Sequence, residues 1–455
     1  MTTAAALKLP STGRAPLLVA GLGNTGLSVV RFLARRGIAF TVADSREAPP
    51  GLDVLRRELP DVEVKLGAFG ADAFARAGTI VLSPGIATDI PAVQAARAAG
   101  VPVIGDIELF AQAADAPVVA ITGSNGKSTT TTLVAEMAKR AGKDVRVGGN
   151  LGTPALDLLE DGRPDLYVLE LSSFQLETTF TLDCAAAVVL NLSDDHLDRH
   201  HSLLEYAAVK QRIFHGNGVM VVNAEDAFSA AMADGRRWVV RFSLLAPRQA
   251  QDFGLRTLHG REYIVHGEQA LMPCDDVRIP GRHNLANALA ALALGEAVGL
   301  PMAAMLATLR DFPGLSHRCE FIAEVDGVRY YNDSKGTNVG STLAALAGMP
   351  GAKVVLIAGG EGKGQDFKPL AHAVAVRGRA VVLIGRDAGI IAQALADAAP
   401  LHHAASMEDA VRLARQHARA GDAVLLSPAC ASFDMFRNYE HRGDVFTAAV
   451  RGLAP

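Results

Sequence analysis

Short apolar runs alternate with amphipathic stretches along the whole chain. Leu17 to Ala20 is one such run, followed by Gly21-Leu22-Gly23-Asn24-Thr25-Gly26 and a helical pattern through Arg36. Gly37 closes that helix and Ile38 to Ala43 reads as the next strand, a β-α-β unit. Thr79–Leu82 (strand), Ile90–Ala99 (helix) and Val101–Ile104 (strand) continue the alternation, and the Ala-rich stretch Gln112 to Pro117 reads as a boundary. A second segment opens with the strand Val118–Thr122, a Gly-rich turn and a helical stretch over Thr129–Arg140. Asp165–Glu170 and Ala185–Leu190 are apolar enough for buried parallel strands. Arg236 to Pro280 alternates weakly and predicts a β-rich insertion, and Leu285–Val298 an Ala/Leu-rich helix. After a second boundary at Pro313-Gly314, strands are predicted at Val328–Tyr331, Lys353–Ala358, Ala380–Ile384 and Ala423–Leu426, with helices between them. The pattern predicts three α/β units in series, at 1–112, 113–314 and 315–455, with the two boundaries as hinges.

Composition agrees. At roughly 150 residues per domain, 455 residues suit three domains. A chain 49% hydrophobic and 20% charged is not disordered, and aromatics at 5%, with Trp238 alone of its kind, suit Ala/Val/Leu helices on parallel strands. A net charge of −4 carries no basic excess for nucleic acid. Cys184, Cys274, Cys319 and Cys430 lie far apart and read as single buried thiols of a reducing compartment. Met1 to Pro16 lacks a signal-peptide pattern, and apolar runs such as Cys184–Leu190 fall short of the ~20 residues that span a bilayer. A cytoplasmic location is expected.

The chemistry sits at strand ends. Gly21–Gly26 matches G-x-G-x-x-G between strand and helix, with Asp44 at the end of the next strand, placed for a ribose hydroxyl. Alone this suggests NAD(P), close helix–strand packing or another nucleotide in the same crevice. Thr122-Gly123-Ser124-Asn125-Gly126-Lys127-Ser128-Thr129 resembles a P-loop, although Ile121 replaces the first glycine of the strict pattern. Lys127 would reach the β/γ-phosphates and Ser128 a Mg²⁺ ion. Glu170 ends a neighbouring strand, where a Mg²⁺ ligand belongs, and Asn191-Leu192-Ser193-Asp194-Asp195-His196-Leu197-Asp198 ends the next. His200, His201, His402 and His403 lack such context and are expected on the surface, and Lys210, within a helical pattern, reads on its own as a solvated charge. In the third segment Asn332–Asn338, Gly359–Gly364 and Ser427–Ser432 follow three strands, so Lys335 and Lys363 converge on one sheet edge suited to a small anion. Together the segments predict a Rossmann-like first domain, a P-loop ATPase-like centre with a parallel sheet and a small β-rich part, and a Rossmann-like third domain.

Taken in order, these motifs resemble the Mur ligases, with further matches at Ser83-Pro84-Gly85, Gly149-Asn150, Glu170–Glu177, Gly281–Ala291, Ser316–Glu320 and Leu426–Gly443. The third-segment loops are most similar to those of the members that add D-glutamate to UDP-N-acetylmuramoyl-L-alanine. The resemblance implies ATP-dependent amide-bond formation through an acyl phosphate, by a monomer using two Mg²⁺ ions. It turns the first motif from NAD to UDP: Asn24, Thr25, Asp44, Ser45, Arg46 and Gly85 would hold uridine and diphosphate, and Asn150 and His196 the rest of that substrate. ATP would meet Gly123, Ser124, Asn125, Gly126, Lys127, Ser128, Thr129, Asn287, Arg318 and Asp333. Ser128, Glu170, His196 and Lys210, the last as a CO₂-derived carbamate, would place the metal ions. Lys335, Thr337, Lys363, Ser432 and Tyr439 would surround D-glutamate. Lys127, His196, Lys210 and Lys363 are the implied catalytic set. Neither an oxidoreductase nor a non-catalytic nucleotide sensor would use all of these residues; a sibling ligase for another amino acid would keep the P-loop.

Overall fold

The computed structural model describes residues 17–453 except 161, 194 and 196, and only the backbone of 197 and 198. Among the described residues three sheets form, one per predicted unit. In the first, β1 (Leu17–Ala20), β2 (Phe40–Asp44), β3 (Val64–Leu66), β4 (Thr79–Leu82) and β5 (Val103–Ile104) run parallel in the order β3-β2-β1-β4-β5. All four residues of β1 are buried, because helices cover both faces; hence its unbroken apolar run. The order reverses between β1 and β4, which opens a crevice at their carboxyl ends.

The second sheet contains β6 (Val118–Thr122), β7 (Val145–Gly149), β8 (Leu166–Glu170), β9 (Ala186–Val189), β10 (Val219–Asn223), β11 (Val239–Phe242), β12 (Phe253–Leu258), β13 (Arg261–His266) and β14 (Gln269–Pro273). Their order is β14-β13-β12-β11-β10-β9-β6-β8-β7. The P-loop strand β6 therefore lies between β8, ending at Glu170, and β9, leading to Asn191. The stretch expected as a β-rich insertion is instead an extension of this sheet. β11 pairs parallel with β10, and β12 to β14 add an antiparallel meander. Its inner face, including Phe253, Leu255, Ile264 and Met272, joins the core of the middle unit.

The third sheet contains β15 (Glu320–Val325), β16 (Val328–Asn332), β17 (Val354–Gly359), β18 (Gly378–Ile384), β19 (Leu401–His403) and β20 (Ala423–Leu426), in the order β15-β16-β20-β17-β18-β19. The expected strands are present. The antiparallel edge strand β15 and the three-residue β19 were not anticipated; neither has a fully buried apolar run. The three ligand-type loops follow β16, β17 and β20, adjacent strands of this sheet.

Candidate active site

The first cavity, of about 470 Å³, is lined by all six residues assigned to uridine and diphosphate: Asn24, Thr25, Asp44, Ser45, Arg46 and Gly85. Gly21 has φ +96°, and a Cβ on Gly26 would stand 1.9 Å from the Gly21 carbonyl oxygen, so the glycines let the helix Asn24–Arg35 start against β1. No side chain caps that helix, which leaves its N–H groups for an anion. Asp44 accepts the Leu22 N–H (2.7 Å) and the Arg46 N–H (2.9 Å), and both ends of the Arg46 guanidinium (2.8 and 2.7 Å). Burial pushes this carboxyl up, but those hydrogen bonds outweigh it and hold its pKa down at about 2.

The P-loop helix begins at Lys127, two residues before the expected Thr129. Gly126 has φ +83°, and a Cβ there would lie 2.3 Å from Asn287 Oδ1. The Lys127 ammonium donates to the Gly123 and Ser124 carbonyls (2.8 and 2.9 Å), and burial lowers its pKa. Ser128 Oγ accepts from Arg318 Nη2 at 2.7 Å, across the boundary between the second and third units. Asn125, Gly126, Thr129, Asn287, Arg318 and Asp333 line a second cavity of about 320 Å³. Lys335, assigned by resemblance to D-glutamate, lines it too. Asn284, His283 and Asn223 also line it and were missed. Asn284 was findable: it lies three residues before Asn287 on one helix face and accepts from Asn287 Nδ2 at 3.2 Å.

Beside the P-loop, Glu170 Oε1 accepts from Asn150 Nδ2 at 2.7 Å, while its buried Oε2 has no partner among the described residues. A buried carboxylate oxygen with no protein partner is a donor that suits a hard divalent cation. Lys210 is not a solvated charge. It is 1% exposed and donates to Thr122 Oγ1 (3.0 Å) and the Gly123 carbonyl (3.1 Å). Burial, reinforced by the neighbouring Lys127 charge, drives its pKa well below the usual lysine range. Asp195 faces the third unit, where its Oδ2 accepts from Asn338 Nδ2 (3.2 Å). Asp194 and His196 lie outside the described residues.

His200 corrects the expectation of a surface residue: it is 1% exposed. Its Nε2 pairs with Ser173 Oγ at 2.9 Å, and its ring lies between Phe174 and Tyr206. His201 and His403 are exposed and His402 half-buried. Cys184, Cys274 and Cys430 are buried free thiols, but Cys319 is only half-buried and borders the second cavity, since the loop before β15 faces the P-loop.

The loops of the third sheet are tied together. Ala429 N–H donates to the Gly336 carbonyl, and Glu361 and Ala431 exchange backbone hydrogen bonds. Lys335 Nζ lies 3.7 Å from the Tyr439 ring centroid; burial, then the Arg318 charge, lowers its pKa to about 8. Ser432 is buried, Thr337 half-buried and Lys363 exposed, and none of the three lines either cavity.

Family comparisons match this arrangement unit by unit. A Mur ligase MurD-like N-terminal domain matches residues 15–105, a Mur ligase middle domain 121–295, and a Mur ligase glutamate ligase domain 317–430. The chain belongs to the Mur ligase family. It is 55% identical, over 96% of both chains, to a UDP-N-acetylmuramoylalanine–D-glutamate ligase of Nitrosococcus oceani. It is 56% identical to the enzyme of that name from Pseudomonas syringae, over 96% of this chain and 98% of the other. Among solved structures, UDP-N-acetylmuramate-alanine ligase from Thermotoga maritima shares the Mur ligase fold (TM-score 0.59, 18% identity, 96% of this chain and 99% of the other).

Proposed function

We propose that this chain is an ATP-dependent ligase that joins D-glutamate to UDP-N-acetylmuramoyl-L-alanine, releasing ADP and phosphate, in cytoplasmic peptidoglycan-precursor synthesis by a monomer. The observation that carries this reading is identity of 55–56% across all three units to ligases named for that reaction. The geometry supports a division of labour among 1–112, 113–314 and 315–455. The first cavity would take the UDP end, with Asn150 and His196 beside the muramoyl part. The second cavity would take ATP, with the Gly123–Thr129 amides on its phosphates. Lys335, Thr337, Lys363, Ser432 and Tyr439 would receive D-glutamate.

The substrate carboxylate attacks the ATP γ-phosphate, giving an acyl phosphate and ADP. The glutamate amine then attacks the acyl carbon, phosphate leaves and the amine gives up its proton. Both steps gather anions, so Lys127 and Arg318 must turn from their present partners to the phosphates. Glu170 and Ser128, with His196 and a carbamate on Lys210, would hold two Mg²⁺ ions, which supply further charge neutralisation when bound. The neutral amine expected of Lys210 is the form that reacts with CO₂. Lys335, with its lowered pKa, would meet the glutamate carboxylates as a readily tuned cation. Phosphate release with UDP-N-acetylmuramoyl-L-alanine, crossed with D-glutamate, L-glutamate, L-alanine and diaminopimelate, tests the reading. D-glutamate should be strongly preferred, and preference for another amino acid would reassign the chain within the family.

A further inference from the structure

Arg199 stands three residues after His196 in the chain, on the short helix Leu197–His200. Its guanidinium makes a fork on Glu177: Nε to Oε1 at 3.1 Å and Nη2 to Oε2 at 2.6 Å. It also crosses into the first unit, where Nη2 donates to the Ile86 carbonyl (3.0 Å) and Nη1 to the Pro84 carbonyl (3.5 Å). The Arg199 and Glu177 side chains are 12% and 10% exposed, and the guanidinium packs over the Phe174 ring at 4.7 Å.

Each partner belongs to a different part of the site. Pro84 and Ile86 flank Gly85 and line the first cavity. Glu177 caps the C-terminal end of the helix Ser173–Leu176, which starts three residues after Glu170. Arg199 itself lies three residues after His196 in the chain. We propose that Arg199 is a positioning residue that fixes the nucleotide-sugar loop Ser83–Ile86 against the helices Ser173–Leu176 and Leu197–His200 of the middle unit. It thereby sets the span from the diphosphate end of the substrate to the carboxylate that must meet the γ-phosphate. This rests on the reading given under Proposed function. A planar fork with five donors can serve one carboxylate and two carbonyls at once; an ammonium on a flexible stem cannot.

The test compares Arg199→Lys, which leaves a cation beside Glu177, with Arg199→Met. Backbone hydrogen exchange over Ser83–Ile86 should quicken about tenfold in both variants, as loss of a charge-assisted hydrogen bond would give, while the P-loop amides keep their protection. In turnover, Arg199→Lys should raise the KM for the UDP-substrate and lower kcat, each about tenfold, with the KM values for ATP and D-glutamate little changed. Wild-type exchange and kinetics in Arg199→Lys would overturn the proposal. So would an equal loss toward all three substrates accompanied by a lower melting temperature. The exchange measurement needs no substrate, so it stands even if the wild-type enzyme proves to use a different amino acid.

Discussion

At the scale of single residues, the half-buried Lys127 and the buried Lys210 near the P-loop are held for opposite purposes. Lys127 is parked on the carbonyls of its own loop, which a nucleotide would release. Lys127→Ala should abolish phosphate release and leave the melting curve nearly unchanged, because among the described residues Nζ bonds only to loop carbonyls and fills no core; near-normal turnover would remove Lys127 from the ATP site. Lys210 sits where a charge is penalised. A carbamate forms only on a neutral amine, and arginine stays charged. Lys210→Arg should therefore be as inactive as Lys210→Ala in steady-state assays, and an active arginine variant would make Lys210 a simple cation. The exposed Lys363 is different again. Lys363→Met should raise the KM for D-glutamate far more than that for UDP-N-acetylmuramoyl-L-alanine, by the roughly 1.5–3 kcal/mol of a lost charge-assisted bond. A shift in the nucleotide KM alone would move Lys363 out of the amino-acid pocket.

At the scale of elements, the strand ends that carry chemistry are fixed by a second layer that no motif announces. The helix Ser173–Leu176 is closed by a capping box between Ser172 and Gln175, and Gln175 Nε2 donates to Asp106 Oδ2 (3.2 Å) from the end of the first unit. Burial lifts the Asp106 carboxyl to about 6. Below about pH 4 both folded and unfolded chains hold its proton. Between about 4 and 6 the unfolded chain releases it first, so this carboxyl costs stability as pH rises, and the cost is level above that window. Asp106→Asn removes the slope. The variant's stability relative to wild type should thus climb, by an amount on the order of 2 kcal/mol, from pH 4 to pH 7 in urea titrations; a pH-independent difference would mean Asp106 is an ordinary carboxylate. The glycine-rich loops and the buried parallel strands were legible because each has a local cause: a left-handed turn, or an apolar run buried on both faces. Residues such as Asp106, Glu177, Arg199 and His200 were not. Each acts through a partner more than 20 residues away, and a histidine's burial depends on rings that only the fold brings together. Strand β15 escaped for a related reason: it is an edge strand with only Val325 buried, held by its neighbour rather than by its own pattern.

At the scale of the whole molecule, the two boundaries that looked alike in sequence are joined differently. One hydrophobic cluster runs from the first sheet into the second, uniting Val29, Leu33 and Phe110 with Leu156, Leu169 and Tyr206. Ser28 Oγ donates to Asp157 (2.6 Å) and Arg35 pairs with Glu160 (2.5 Å) along the same seam. The third unit keeps its own clusters on the two faces of its sheet. Across the Pro313-Gly314 boundary the ties to the P-loop are polar: Arg318 to Ser128, and Asn338 to Asn125 and Asp195. A joint held by a few part-buried hydrogen bonds opens more readily than one that exposes a core. Motion should accordingly be concentrated at Pro313-Gly314, with the first two units moving as one body. Small-angle scattering should show a larger radius of gyration for nucleotide-free Arg318→Met than for wild type, because the bond to Ser128 is gone. Adding an ATP analogue and the UDP-substrate should compact the wild type, as the phosphates replace Ser128 as the partner of Arg318. An identical radius for the variant and wild type, with and without ligands, would show that contacts other than Arg318 close this joint. Compaction that persists after a disulfide is engineered between the third unit and the second would instead place the hinge at Gln112–Pro117, against the shared core.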